Sequence, residues 1–392
     1  MAASAPASKE PAVSLNPRDI YAQTTRYFLT PVIPLLDDPT VSEVLINGPK
    51  NIYYERAGRL HTYDAKFADE NALMAAARNL AEYVNRTLDA DHHSMDGRLP
   101  DGSRVHVILP PSSRQGVCIS IRKFQKSVYN IKTLIERGSL SPAAAEFLQI
   151  AVLLHKNMVV AGGTGTGKTS MLNALSTAIP DNERVIVIED SSELQLHQPH
   201  TLYLEAQPAR PGGRGAVSIR DLFVDSLRMR PDRILVGEVR RGEALDLIQS
   251  MLSGHTGSLT TVHASTPRDA AVRLETLCQM SDVGLPQHVA RMQVASAIQV
   301  IVQLARFPDG GRRVVRVAEQ TGLNAAGEYT LTDLFAFKSE GTGTDGVVRG
   351  GLAYTGARPT FASEVTEMGL TSRVSETAAM FLPASDARPV AH

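Results

Sequence analysis

The spacing of apolar residues changes along this chain, and each change marks a different kind of element. Positions 41–46 (VSEVLI) and 51–56 (NIYYER) read as two short strands around the turn Asn47-Gly48-Pro49, with a further turn at Ala57-Gly58. Leu73, Ala76, Leu80 and Val84 recur at helical spacing over 70–84. Segments 103–109 (SRVHVIL) and 117–124 (VCISIRKF) alternate as strands do, and Asp101-Gly102 and Pro110-Pro111 bound the first of them. Residues 21–125 are therefore expected to form a small α/β domain with an antiparallel sheet. A linker with a short helix follows over 126–141. Ser141-Pro142 then opens a helix, with Ser as the N-cap and Pro at the first helical position.

From there the pattern becomes short apolar runs separated by helical stretches. The runs are 157–161 (NMVVA), 184–188 (RVIVI), 233–237 (RILVG) and 258–262 (SLTTV). Between and after them, 168–179, 219–227, 244–252 and a segment opened by Thr266-Pro267 carry helical periodicity. Such alternation predicts a mostly parallel sheet covered by helices, placed at 142–310. Beyond it, 313–319 (RVVRVAE) and 328–337 (EYTLTDLFAF) alternate again, so 311–383 is expected to be a β-rich appendage. The Ala/Ser/Pro-rich stretch 1–20 and the end 384–392 are expected to be disordered tails.

Chemistry enters at the junction of the first apolar run and its helix. Gly162-x-x-x-x-Gly167-Lys168-Thr169 is a P-loop pattern. The backbone of Gly162, Gly163, Thr164, Gly165, Thr166 and Gly167 can wrap a phosphate chain with its N–H groups pointing inward. Lys168 would reach the β- and γ-phosphates, the Thr169 hydroxyl would sit on Mg²⁺, and Ser170 closes the motif. A strand before the loop and a helix after it is the context the motif requires. Hydrolysis further needs a carboxylate near the metal and a group to orient water. Glu238 ends the apolar run 234–236, where it would face the metal, and Glu189, Asp190 and Glu193 follow another run at the sheet edge where ligands bind. Glu193 or Glu189 could polarise the attacking water. His263 follows the run 258–262, within reach of a γ-phosphate, although a lone histidine is more often structural.

Bulk composition removes several alternatives. The 392 residues carry a formal net charge of −1 and no basic run, which argues against a nucleic-acid partner. Two separated cysteines, Cys118 and Cys278, do not make a disulfide framework or a four-cysteine zinc site. No apolar run approaches the ~20 residues that span a bilayer, and the N-terminus lacks the charged and apolar regions of a signal peptide. A cytoplasmic protein is expected, with any membrane role coming through a partner.

Taken together, GGTGTGKT, IEDSSELQL, LRMRPDRILVGEVR and GHTGSLTTVHA resemble the Walker A, Asp box, Walker B and His box of the type II/type IV secretion ATPases. DPTVSEVLINGP, DGRLPDGSRVHVILPP and LRMRPDRILVGEVRRGEALDLIQ are similar to the Tad pilus-assembly branch (CpaF/TadA type), over about 31–370. Thr256 departs from the usual Asp of that branch's GHDGS. The resemblance implies a homohexameric ring of subunits, each with an N-terminal domain and a RecA-like domain. It implies ATP and Mg²⁺ as cofactors and a motor acting on polytopic inner-membrane platform proteins to assemble a pilus. It assigns Glu193 as general base, Glu238 as Walker B acid and His263 as a phosphate-proximal residue. It also assigns Arg98, Arg104 and Arg122 of the N-terminal domain, and Arg240 after Glu238, as cations for the phosphates. The alternatives are the ATPase of a conjugative or effector type IV secretion system, a RecA-like nucleic-acid motor, and a non-hydrolysing nucleotide-gated scaffold.

Overall fold

A computed structural model describes residues 24–99, 101–124, 130–207, 209 and 214–383. The tails expected at 1–20 and 384–392, and part of the expected linker, lie outside the described residues. The chain divides into two compact units, Met1–Lys126 and Ser127–His392.

The first unit is built on six antiparallel strands, β1 (Val41–Asn47), β2 (Asn51–Arg56), β3 (Arg59–Tyr63), β4 (Ser94–Arg98), β5 (Arg104–Ile108) and β6 (Cys118–Arg122), in the order β3-β2-β1-β6-β5-β4. The inward residues Val44, Ile46, Val105, Val107, Ile119 and Ile121 share a core with Leu73, Ala76, Ala77 and Leu80 of the helix Glu70–Tyr83. Asp69 caps that helix by accepting the Ala72 N–H. Ala57 and Gly58 both take positive φ, 50° and 77°, which is the two-residue turn that joins β2 to β3 without splaying them. The two edge strands, β3 and β4, were not expected from the sequence. Their burial explains this: β3 is almost wholly exposed and β4 buries only Met95, so neither carries an apolar alternation.

The second unit holds a nine-stranded sheet. Its strands are β7 (Met158–Gly162), β8 (Val185–Glu189), β9 (Thr201–Glu205), β10 (Arg233–Val236), β11 (Leu259–Val262), β12 (Val300–Arg306), β13 (Arg312–Leu323), β14 (Tyr329–Thr342) and β15 (Val348–Tyr354), in the order β15-β14-β13-β12-β7-β11-β10-β8-β9. From β9 to β12 all neighbours are parallel. Alternate residues of the fully buried β7 serve two different layers. Met158 and Val160 pack with the helices Pro142–Leu153 and Lys168–Ser176, whereas Val159 and Ala161 pack with Glu243–Leu252, Pro267–Gln279 and Gln287–Ala297. The Ser141 and Thr266 hydroxyls cap their helices as expected, accepting the N–H groups of Ala144 and Asp269. The β-rich C-terminal part is not a separate layer. β13, β14 and β15 continue the sheet antiparallel from β12, and Val314, Val317, Leu334 and Phe335 join the core around Phe147. They cover what would otherwise be an open edge beside the most buried strands.

Candidate active site

Three strand ends converge on the loop that follows β7. Register sets Ala161 of β7 beside Val262 of β11 and Gly162 beside Leu304 of β12, so residues just past these strands flank the loop on both sides. Gly165 and Gly167 take φ of 70° and 94°, a conformation open to glycine at no steric cost. Gly162 is required for space, since a Cβ there would lie 2.5 Å from Thr166 Oγ1 and 3.0 Å from the Leu304 carbonyl oxygen. Thr166 Oγ1 and Lys168 Nζ both donate to the Gly163 carbonyl, at 2.9 and 3.2 Å, tying the loop back on itself. Gly163 and Thr164 are exposed and Lys168 is buried. Thr169 and Ser170, in the first turn of the following helix, are half-buried.

A chain of charged contacts leads away from Lys168. Its Nζ is 3.4 Å from both ring nitrogens of His263, and His263 Nε2 is 2.5 Å from Glu238 Oε1. Burial and the neighbouring Lys168 charge push the His263 imidazole below its ordinary range, outweighing Glu238. Glu238 Oε2 accepts from Arg240 Nε at 2.8 Å and Nη2 at 2.5 Å, and Arg240 Nη1 reaches Asp190 Oδ2 at 2.5 Å. Arg240 thus bridges the ends of β8 and β10. Its backbone is fixed by Glu243, whose carboxylate accepts the N–H groups of Arg240 and Arg241.

The carboxylates after β8 separate into different jobs. Glu189 is buried, and its Oε1 accepts the N–H groups of Glu193 at 2.9 Å and Leu194 at 3.1 Å. It crosses directly over Gly237, where a Cβ would sit 2.8 Å from Glu189 Cγ. Asn173, on the helix after the loop, accepts the Gln195 N–H at 2.8 Å and so ties the segment carrying Glu193 to the phosphate-loop helix. Glu193 itself is half-buried and close enough to Arg240 to act on it electrostatically. The geometry makes Glu189 a holder of the Glu193 backbone.

Glu238 Oε1 is buried and, despite the close imidazole, makes no hydrogen bond of acceptable angle. A buried carboxylate oxygen with spare acceptor capacity, near the Thr169 hydroxyl's helix, fits a magnesium ion or its water shell. Among the described residues no group of three or more His, Cys, Asp or Glu could hold a metal by itself.

Arg98, Arg104 and Arg122 lie in the first unit. They are direct cross-strand partners on β4, β5 and β6, so three guanidinium side chains project from one row of one sheet face. Glu43 on β1 continues the row beside Arg122. The family resemblance pointed to each arginine separately; only strand register makes them one cationic strip. The Asp190–Arg240 bridge was also not anticipated, because it joins residues fifty positions apart.

A parallel sheet with a glycine loop and lysine after one strand, and a carboxylate after a strand two places over, defines a RecA-like P-loop nucleotide-binding protein. The chain belongs to the family described as type II/IV secretion system protein, whose model matches residues 28–332. A putative conjugal transfer protein of Mycobacterium tuberculosis is 36% identical over 291 residues, covering 73% of this chain and 82% of its own. The type IV secretion system protein PtlH of Bordetella pertussis is 32% identical over 327 residues, 76% of this chain and 96% of its own. The X-ray structure of the Legionella pneumophila ATPase DotB shares the fold, with a TM-score of 0.53 at 18% identity over 74% of this chain and 79% of that one.

Proposed function

We propose that this protein is a magnesium-dependent ATP hydrolase that powers a secretion or pilus-assembly machine. The observation that carries the reading is the continuous line from the loop lysine through His263 to Glu238 at adjoining strand ends. In it, Lys168 and the loop amides hold the triphosphate, with Thr169 and Glu238 at the metal. A magnesium ion held there would supply charge neutralisation for the phosphate oxygens. Glu193 orients and deprotonates the attacking water, Glu189 keeps Glu193 in place, and His263 stands beside the γ-phosphate. Arg240 holds Glu238 and Asp190 together until phosphate oxygens compete for its guanidinium. Arg98, Arg104 and Arg122 supply cations from the N-terminal domain, within a homohexameric ring.

The finer reading is the Tad pilus branch, supported by the N-terminal motifs. Polytopic inner-membrane platform proteins are then the partners, and the motor is cytoplasmic and peripheral to that membrane. An N-terminal domain of 21–125, a linker at 126–141 and an ATPase core of 142–310 that 311–383 extends go with it. A second reading, the ATPase of a conjugative or effector type IV secretion system, is favoured by the conjugal-transfer and secretion-system relatives above. Phosphate release by the full chain tests the enzyme: Lys168→Ala must abolish it, and full activity in that variant refutes the site. Co-purification with a polytopic platform protein beside a small pilin supports the pilus reading, and a conjugation or effector channel supports the other.

A further inference from the structure

Two arginines that no motif includes stand against the phosphate loop on the side away from Glu238 and His263. β12 runs parallel to β7 and leaves the sheet at the same end, and β13 returns antiparallel with Arg312 directly opposite Arg306. A Cβ on Gly165 would lie 3.7 Å from Arg306 Nη1, and one on Gly167 would lie 3.7 Å from Arg312 Cδ. Arg306 is exposed and Arg312 half-buried.

The turn between them is firmly built. Phe307 and Gly311 exchange a backbone hydrogen bond of 2.8 Å, in which the Phe307 N–H donates. The Asp309 carboxylate accepts from the N–H groups of Gly311 and Val348, at 2.7 and 3.0 Å, and from Arg313 Nη2 at 2.9 Å. Arg313 in turn lies 4.8 Å over the Phe307 ring. Ser139 donates to the Arg312 carbonyl at 2.7 Å, and its own carbonyl accepts the Val314 N–H at 2.9 Å. The two guanidiniums are therefore carried on a braced hairpin, so little ordering cost remains for a ligand to supply.

We infer that Arg306 and Arg312 bind the nucleotide at the end common to ATP and ADP, the α- and β-phosphates. This rests on the nucleotide reading above. Loop amides cradle the α- and β-phosphates while the lysine reaches toward γ. The γ-side groups, His263 and Glu238, follow β11 and β10 on one flank of β7. The arginine pair comes from β12 on the other flank, beside the middle of the loop. Contacts to groups that ATP and ADP share act on both nucleotides and so set affinity and KM. The β-phosphate is also the leaving group, so a contact there meets charge that grows in the transition state, and its loss lowers kcat, by less than it lowers kcat/KM.

The test uses the full chain with Arg306→Ala, Arg312→Ala, the double variant, and both arginines changed to Lys. Each is titrated with Mg-ADP and with a non-hydrolysable Mg-ATP analogue and then assayed for phosphate release. Each alanine should weaken both nucleotides by about tenfold, as loss of a charge-assisted hydrogen bond does. KM should rise with them, kcat should fall by less than affinity does, and kcat/KM should fall by the most. Lysine should recover part of the affinity as a point charge without the planar fork. Unchanged affinity for both nucleotides overturns the inference. So does a loss confined to the ATP analogue, which would move the arginines to the γ-phosphate. Lys168→Ala is the separate control: if it keeps full nucleotide affinity, the P-loop reading itself fails, whatever the arginines do.

Discussion

Exchange of Glu189 for Gln separates a base from the group that holds a base. The Glu189 carboxylate is 4% exposed, and one oxygen accepts both the Glu193 and the Leu194 N–H, at 2.9 and 3.1 Å. A glutamine carbonyl oxygen can accept the same two bonds, so the loop should stay in place. What is lost is charge assistance, which makes such bonds roughly twice as strong as neutral ones. For two bonds that amounts to about 1 kcal/mol. In a unit of this size it lowers Tm by about 2–4 °C. Turnover should fall by less than about tenfold, since Glu193 keeps its position. Glu193→Gln leaves every backbone bond intact and removes the proton acceptor, so kcat should drop about 10²–10⁴-fold while nucleotide still binds. Glu189→Ala is the harsher variant. It strands two buried N–H groups at a cost of about 1–3 kcal/mol each, and it should lose both stability and turnover. Phosphate release under saturating Mg-ATP, paired with thermal unfolding, reads all three. If Glu189→Gln is dead at an unchanged Tm while Glu193→Gln turns over normally, the roles are reversed and the argument from hydrogen bonding is wrong.

Three further outcomes follow from particular contacts. Gly237→Ala forces a Cβ to within 2.8 Å of Glu189 Cγ, and such overpacking costs about 1–3 kcal/mol. It should also slow turnover through the displaced Glu189, which calorimetry and the phosphate assay check together. Arg233 is fully buried and paired with Glu183 at the opposite end of the sheet from the loop. Arg233→Ala leaves that carboxylate with only His155 Nε2, at 3.2 Å, and should cost up to about 3–5 kcal/mol, measured by denaturant unfolding. Burial, with Asp246 and Glu275 nearby, pushes the Cys278 thiol up to about 12. A thiol reagent at pH 8 should therefore leave Cys278 unmodified in the native protein and label it once the chain unfolds, as mass spectrometry of the peptide would show.

Much of the second unit could be read from sequence because its strands are buried on both faces and appear as unbroken apolar runs. The phosphate loop was legible for another reason: its parts are contiguous, so 162–169 contains the turn glycines, the cation and the hydroxyl in one stretch. The helix caps at Ser141 and Thr266 are equally local. Edge strands β3 and β4 escaped because little of either is buried, and pattern reading sees only burial. The continuity of β13–β15 with the core sheet escaped because alternation marks a strand but not its neighbour. The active-site geometry divides in the same way. Sequence supplied Glu189, Glu193, Glu238, Arg240 and His263 as chemically able groups at strand ends, with either Glu189 or Glu193 left as the base. Which of them touch is a property of strand order and register. The order β12-β7-β11-β10-β8 sets His263 against Lys168, Arg240 between Asp190 and Glu238, and Arg306 against Gly165. Local chemistry is written in the order of residues along the chain. Contacts between residues tens to hundreds of positions apart exist only once buried strands have chosen their neighbours.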